Sequence, residues 1–138
     1  MYCEPVRIRG YVGLLVRAFF VFLGLLLGLC VTQADEQMVI KDSEAILNVG
    51  RYVEVCGLVV SVTSSPLGTT FINFGREYPN QTFVGFIPAD SGITADQVTK
   101  LEGKNIGIVG TIELHKGKPE TKIMSMYQIV DLSSKLGQ

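Results

Sequence analysis

The chain has 138 residues, enough for one small domain, and its 12 Lys and Arg nearly balance its 13 Asp and Glu. This balance excludes a strongly basic nucleic-acid binder. It contains 3 cysteines, of which Cys3 and Cys30 lie within residues 1–34, so the rest of the chain cannot form an internal disulfide.

Residues 1–34 are predicted to be a signal peptide. Three arginines (Arg7, Arg9 and Arg17) precede an unbroken apolar run of 14 residues, 18–31. As a helix this run would span about 21 Å, short of the roughly 30 Å hydrocarbon core of a bilayer. A basic start and a short apolar run are typical of a secretory signal, with cleavage expected after Ala34. The predicted location is therefore periplasmic or secreted; the alternative is an inner-membrane anchor formed by residues 18–31.

Removal of this segment leaves nine Lys and Arg against twelve Asp and Glu, a net charge of about −3. An acidic remainder does not fit a strongly electrostatic nucleic-acid binder. Cys56 is the one cysteine left, and we expect it to be a small buried hydrophobe.

Residues 35–49 form a predicted lead-in with a short helix, which Asp42 or Ser43 could cap and Gly50 would end. A long first strand follows over residues 51–65. Its apolar alternation changes phase at Gly57, which predicts a bulge or coil where one strand turns a corner and serves two sheets.

The second and third strands are predicted at residues 69–74 and 82–88, on either side of a loop. A helix is predicted next, because Thr94 and Gln97 have the spacing of a capping box and Gly103 would end the helix. The fourth strand covers residues 105–115. A turn then leads to a fifth strand at residues 121–132, and residues 133–138 are a tail.

The predicted order β-β-β-α-β-β is that of the OB-fold, an all-β, five-stranded Greek-key barrel with one short helix. Residues 50–132 resemble small bacterial OB-fold domains of the nucleic-acid-binding type, including those related to thermonuclease-like proteins. The resemblance is carried by "VGRYVEVCGLVVSV", "TTFINFGREYPNQTFVGFI", "LEGKNIGIVGTIELHKGKPE" and "YQIV". It implies a binding domain, and because OB-folds also bind oligosaccharides and proteins, the ligand stays open.

The sequence predicts a protein that is not an enzyme and that needs no metal or cofactor. Beyond residue 34 the only arginines are Arg51 and Arg76, and neither can be assigned to a carboxylate cluster of the kind a thermonuclease needs. His115 is the only histidine, which leaves no histidine-rich metal site and no evident acid–base pair.

The hairpin of the second and third strands carries the main candidate site. If Phe74 pairs with Thr82, then Phe74 and Phe86 face the core, while Phe71 and Phe83 face outward beside Asn73. Exposed rings could stack bases, each for about 1–3 kcal/mol. The alternatives are that both faces are buried, or that a slip of one residue exchanges the two sets.

A second candidate feature is the loop between the fourth and fifth strands, which in OB-folds flanks the binding face. Lys116, Lys118 and Lys122 could contact phosphates there, with His115 beside them. Arg76 could add a contact, although the neighbouring Glu77 weakens it. The alternative is an ordinary solvated hairpin tip.

These features lead to three hypotheses about function, of which the third, a barrel that binds oligosaccharide, fits the compartment but has no tryptophan to offer to a sugar face. The first is an exported OB-fold protein that binds single-stranded nucleic acid, or a related oligomer, through strands two and three. The second is an envelope protein-interaction or structural module without nucleic acid, which the net charge of about −3 favours. In each case membrane contact is expected only through the N-terminal segment, if it is not cleaved.

Overall fold

The computed structural model describes residues 36–133, so the predicted signal segment and most of the predicted tail lie outside the described residues. The strands are β1 (Val39–Lys41), β2 (Tyr52–Ser64), β3 (Thr70–Phe74), β4 (Phe83–Ile87), β5 (Asn105–His115), β6 (Lys118–Lys122) and β7 (Ile129–Asp131). Helix α1 covers Ala95–Thr99, and 3-10 helices cover Asp42–Asn48, Ala89–Ser91 and Met126–Gln128. Between residues 36 and 133, no helix has the length and apolar character needed to cross a membrane.

The seven strands form one sheet in the order β1-β2-β3-β4-β6-β5-β7. Because β2 also pairs with β5, the hydrogen-bonded pairs run from β2 through β3, β4, β6 and β5 and back to β2. The pairings β1–β2 and β4–β6 are parallel, and the others are antiparallel. This mostly-β arrangement with a short helix before β5 resembles an OB-fold, with more strands than the five predicted.

The predicted fifth strand is interrupted in the structure. Its first residues belong to β6, and its last belong to β7 on the other edge of β5. Between them the Gln128 side chain accepts hydrogen bonds from the Met124 and Ser125 amides and donates to the Lys122 carbonyl. These contacts satisfy backbone groups that a strand ladder would otherwise pair, so the chain can bend there.

The long strand β2 pairs first with β5 and then with β3, so it links two parts of the sheet as predicted, but its bulge is not at Gly57. The register against β3 shifts between Val59 and Ser61, whereas Gly57 pairs regularly with Ile106. Instead, the Asp42 and Phe74 side chains pack closely against the backbone at Gly57: a Cβ there would lie 2.9 Å from both the Asp42 Cβ and the Phe74 Cδ1. The change of phase in the apolar alternation of β2 therefore has two causes: the close packing at Gly57 and the bulge between Val59 and Ser61.

The predicted helix before β5 is confirmed as α1. The Thr94 amide donates to the Gln97 Oε1 at 2.8 Å, and Gly103 has φ +76°. The short helix in the lead-in is also present as a 3-10 helix, with Lys41 at its N-cap. Asp42 does not cap it, since its carboxylate accepts a hydrogen bond from the Thr82 hydroxyl.

Buried aliphatic and aromatic side chains form one core between the strands and α1. Cys56 is buried with 1% of its surface exposed, as expected. The core members are Ile40, Ala45, Val53, Val55, Val59, Ile72, Phe74, Phe83, Ile87, Val98, Leu101, Ile106, Ile108, Ile112 and Ile123.

Candidate functional site

The β3–β4 hairpin pairs one residue out of the predicted register. Phe74 lies opposite Phe83, not Thr82. The Thr82 amide and hydroxyl both donate to the Phe74 carbonyl at 3.0 Å, so Thr82 closes the loop rather than extending the ladder. The prediction was wrong because the loop length that sets the register of a hairpin could not be read from the sequence.

The corrected register moves Phe83 from the predicted binding surface into the core. Phe74 and Phe83 are fully buried, with ring centroids 5.3 Å apart in an edge-to-face arrangement. Phe86, predicted to be core, lies on the outer face opposite Phe71, and both are half-buried. Their ring centroids are 5.8 Å apart at 44°. The outward aromatic pair is therefore Phe71 and Phe86.

The outer face of the sheet is organised in two cross-strand rows. In the first, Phe71 lies opposite Phe86, which lies opposite Lys122. In the second, Asn73 lies opposite Val84, which lies opposite Glu120, which lies opposite Glu113. Adjacent strands are about 4.8 Å apart and alternate residues of a strand about 6.8 Å apart. The face thus has an aromatic row and, beside it, a row of an amide and carboxylates.

A cleft of about 440 Å³ opens on this face. It brings together four of the predicted site residues: Phe71, Asn73, Lys116 and Lys118. The remaining lining residues are Thr63, Tyr78, Pro79, Gln81, Val84, His115 and Glu120. Three predicted site residues are not part of the lining: Phe83 is in the core, Lys122 is exposed on β6, and Arg76 is exposed in the loop before β4.

Two polar side chains on the cleft wall are largely buried. Asn73 is 3% exposed, and its Nδ2 donates to the Ser61 Oγ at 3.2 Å. Gln81 is 8% exposed, and its Oε1 is the buried side-chain polar atom without a hydrogen-bond partner in the part of the chain the structure describes. Such an atom costs about 1–3 kcal/mol unless a ligand or solvent pairs with it.

The loop 75–82 and strand β6 supply residues that the sequence interpretation missed. Tyr78 is 78% exposed and stands at the rim of the cleft with Gln81. Glu120 reaches the cleft because the predicted turn 116–120 is mostly strand. The sequence held a signal for Tyr78 and Gln81, since "REYPNQ" joins two strands that were already assigned to the binding face.

The tip of the β5–β6 hairpin is basic. Lys116 and Gly117 form its two-residue turn with φ +48° and +78°, a geometry that suits the twist of a hairpin. His115 and Lys118 lie opposite each other on either side of this turn. The three lysines predicted in or beside this loop are therefore distributed as one in the turn and two on the outer face of β6.

The acidic pair next to this tip modifies its electrostatics. Burial raises the pKa of the Glu120 carboxyl, nearby His115 lowers it and Glu113 raises it. Residues 36–133 contain no group of three or more His, Cys, Asp or Glu side chains that could hold a metal ion. The cleft thus offers aromatic, amide and cationic contacts together with one half-buried carboxyl group.

Comparison with known proteins gives a likeness in fold. No protein-family model matches the sequence, and no curated protein matches it. An aspartyl-tRNA synthetase from Entamoeba histolytica has a similar structure, with a TM-score of 0.50 and 11% identity over 76% of this chain and 24% of that one. A chain assigned as an aspartyl-tRNA synthetase from Leishmania major Friedlin has a TM-score of 0.49 and 11% identity, over 75% of this chain and 22% of that one.

This chain therefore spans less than a quarter of the length of either structure. At such identity the likeness concerns the fold alone. It agrees with the OB-fold resemblance of the strand order, and it does not extend to thermonuclease-like proteins or to bacterial ones in particular.

Proposed function

We propose that the protein is an exported, non-enzymatic OB-fold protein that binds single-stranded nucleic acid on the outer face of β3 and β4. In this proposal the ring of pairs β2-β3-β4-β6-β5 is the closed five-stranded barrel, and β1 and β7 are additions to it. The observation that carries the proposal is the cleft, because it has Phe71 on its wall and Lys116 and Lys118 at its edge.

The binding mode follows from the two kinds of contact. A base that stacks on Phe71, with Phe86 and Tyr78 nearby, would gain about 1–3 kcal/mol. The backbone of the strand would then pass the β5–β6 tip, where Lys116 and Lys118 can contact phosphates. Asn73 and Gln81 offer amides to a base edge. The arrangement suits single strands, whose bases are free to leave a stack.

A nucleic-acid ligand is also supported by the likeness in fold, since the Entamoeba histolytica neighbour is named as a tRNA synthetase. Export is supported by the arginines and the apolar run ahead of residue 34. Mass spectrometry of protein made from the full chain should find an N-terminus near Asp35. An intact Met1 in the membrane fraction would replace this part of the proposal with an anchored protein.

Fluorescence anisotropy with labelled single strands at low salt tests the binding proposal. We expect micromolar affinity for protein expressed from the full chain, weakened by Phe71→Ala and by Lys118→Gln. Leu67→Ala and Lys100→Gln are matched controls, because both residues are exposed and neither lines the cleft. The proposal fails if micromolar protein binds no single strand, or if the control variants weaken binding as much as the cleft variants do.

The second candidate function is that of a protein-interaction module, which would replace the nucleic-acid proposal if that proposal fails. Besides the acidic balance, one observation favours it: several of the exposed large apolar side chains lie close together in sequence around the first 3-10 helix. They are Met38, Ile46, Leu47, Val49 and Tyr52, with Leu47 83% exposed. Loss of oligonucleotide binding would therefore direct attention to this side of the chain.

A further inference from the structure

The β5–β6 hairpin carries two like-charged pairs in adjacent positions. Glu113 lies opposite Glu120, and His115 lies opposite Lys118 nearer the turn. Residues directly opposite in an antiparallel pair have Cβ atoms about 4.5–5.5 Å apart, close enough for like charges to repel. One edge of the cleft therefore combines an acidic pair with a basic pair.

The groups that face Glu120 come from every element around it. Strand β5 contributes Glu113 and His115, the turn contributes Lys116, and β6 itself contributes Lys118 and Lys122 on either side of Glu120. From β4 the neighbour is Val84, and from β3 it is Asn73, neither of which titrates. The loop before β4 adds the Tyr78 phenol at the rim.

The charge of Glu120 depends on its burial and on its cross-strand partner. Burial and Glu113 favour the neutral form of Glu120, so its pKa lies above the usual glutamate value. Protonation of Glu120 removes a negative charge from the wall of the cleft, and this change favours an anionic ligand.

We propose that the hairpin tip is a phosphate site whose affinity is controlled by protons, with His115, Lys116 and Lys118 contacting the anion and Glu120 opposing it until it is protonated. This inference rests on the proposed function, because the phosphate is taken to be that of a bound single strand. By linkage, a ligand that binds the protonated state better also takes up protons when it binds.

The test is the pH dependence of affinity for labelled oligothymidylate, at constant ionic strength, between about pH 7.5 and about pH 4.5, the range in which a carboxyl group with a raised pKa changes charge. Protein expressed from the full chain should bind about fivefold more tightly at the lower pH, the scale expected for one exposed charge pair. Glu120→Gln should raise affinity at the higher pH and flatten the profile. His115→Gln should weaken binding, because it removes one of the three side chains proposed to contact the anion.

Asp96→Asn is the matched control, since Asp96 is an exposed carboxylate on α1 outside the cleft lining. It should keep the wild-type profile. Circular dichroism at each pH establishes that the protein stays folded. Binding that is equally strong across the pH range overturns this inference and leaves the proposed function standing.

If no oligonucleotide binds at any pH, the proposed function is wrong, and inorganic triphosphate becomes the probe. NMR titration of the amides of His115 and Lys118 then decides the inference. Shifts that grow as the pH falls retain a proton-controlled anion site without nucleic acid. An absence of shifts at the lowest pH overturns the site as well.

Discussion

Gly85→Ala distinguishes the observed hairpin register from the predicted one by the sign of its effect. In the structure Gly85 lies opposite Ile72 and is buried. A Cβ at this position would lie 2.6 Å from the Ile108 Cδ1 and 2.9 Å from the Ile123 Cδ1. Both isoleucines are 0% exposed, so neither can move without displacing the core. Overpacking of this kind costs about 1–3 kcal/mol of the free energy of unfolding.

In the predicted register the same methyl group would face outward beside Phe71. There it would restrict the unfolded chain without crowding the folded one, and Gly→Ala would stabilise the protein by about 0.4–1 kcal/mol. Urea unfolding followed by circular dichroism measures the difference. A lower midpoint with an unchanged slope supports the observed register.

A second variant identifies the clash itself. Ile108→Val removes the Cδ1 atom that the new methyl group would meet, at its own cost of about 0.5–1.5 kcal/mol. The double variant should therefore be more stable than the sum of the single changes predicts, by about 1 kcal/mol. The reasoning is refuted if Gly85→Ala is as stable as the wild type, or if the two changes are simply additive.

Three further outcomes are expected. Phe71→Ala should weaken oligonucleotide binding by about 1–3 kcal/mol, as measured by anisotropy. Because Phe71 is half-buried and Phe83 is fully buried, thermal melting should show a smaller loss of stability for Phe71→Ala than for Phe83→Ala, which should cost about 3–5 kcal/mol. Replacing Lys116 and Lys118 with Gln should flatten the plot of log affinity against log salt by about 0.7 for each lost phosphate contact. Folding raises the pKa of Glu120, so the folded state is more stable when Glu120 is neutral. The free energy of unfolding therefore decreases as the pH rises through the pKa that Glu120 has in the folded state. Glu120→Gln should therefore raise the urea midpoint at about pH 7.5 and leave it nearly unchanged at about pH 3.5.

The features predicted correctly from the sequence are those with local causes. The capping box at Thr94 and Gln97 fixes where α1 begins, and Gly103 fixes where it ends, so the helix could be located without knowledge of the fold. Strand β5 covers the same residues, 105–115, as the fourth predicted strand. The long strand β2 pairs with both β3 and β5, as its change of phase indicated.

The errors arise where a side chain makes a contact that is distant in sequence. Thr82 belongs to the loop because its hydroxyl bonds the Phe74 carbonyl and the Asp42 carboxylate. Gln128 interrupts the last predicted strand because its amide bonds the Lys122 and Val109 carbonyls. Strand β1 has three residues and forms only because β2 offers a free edge. No short sequence window contains the Asp42, Val109 and β2 partners.

The difference between local signals and distant contacts also explains which residues of the candidate site could be predicted from the sequence. Its lysines could be predicted, because a Lys-Gly turn between two strands must lie at a hairpin tip. The opposing carboxyl could not, since Glu120 reaches the cleft only when β6 pairs with β4 on one side and β5 on the other. Because this pairing places a carboxyl group in the cleft, the acidic net charge is compatible with the proposed anionic ligand. The cleft need not be strongly positive if its own carboxyl is the group whose protonation changes the balance, and affinity should then respond to pH as well as to salt.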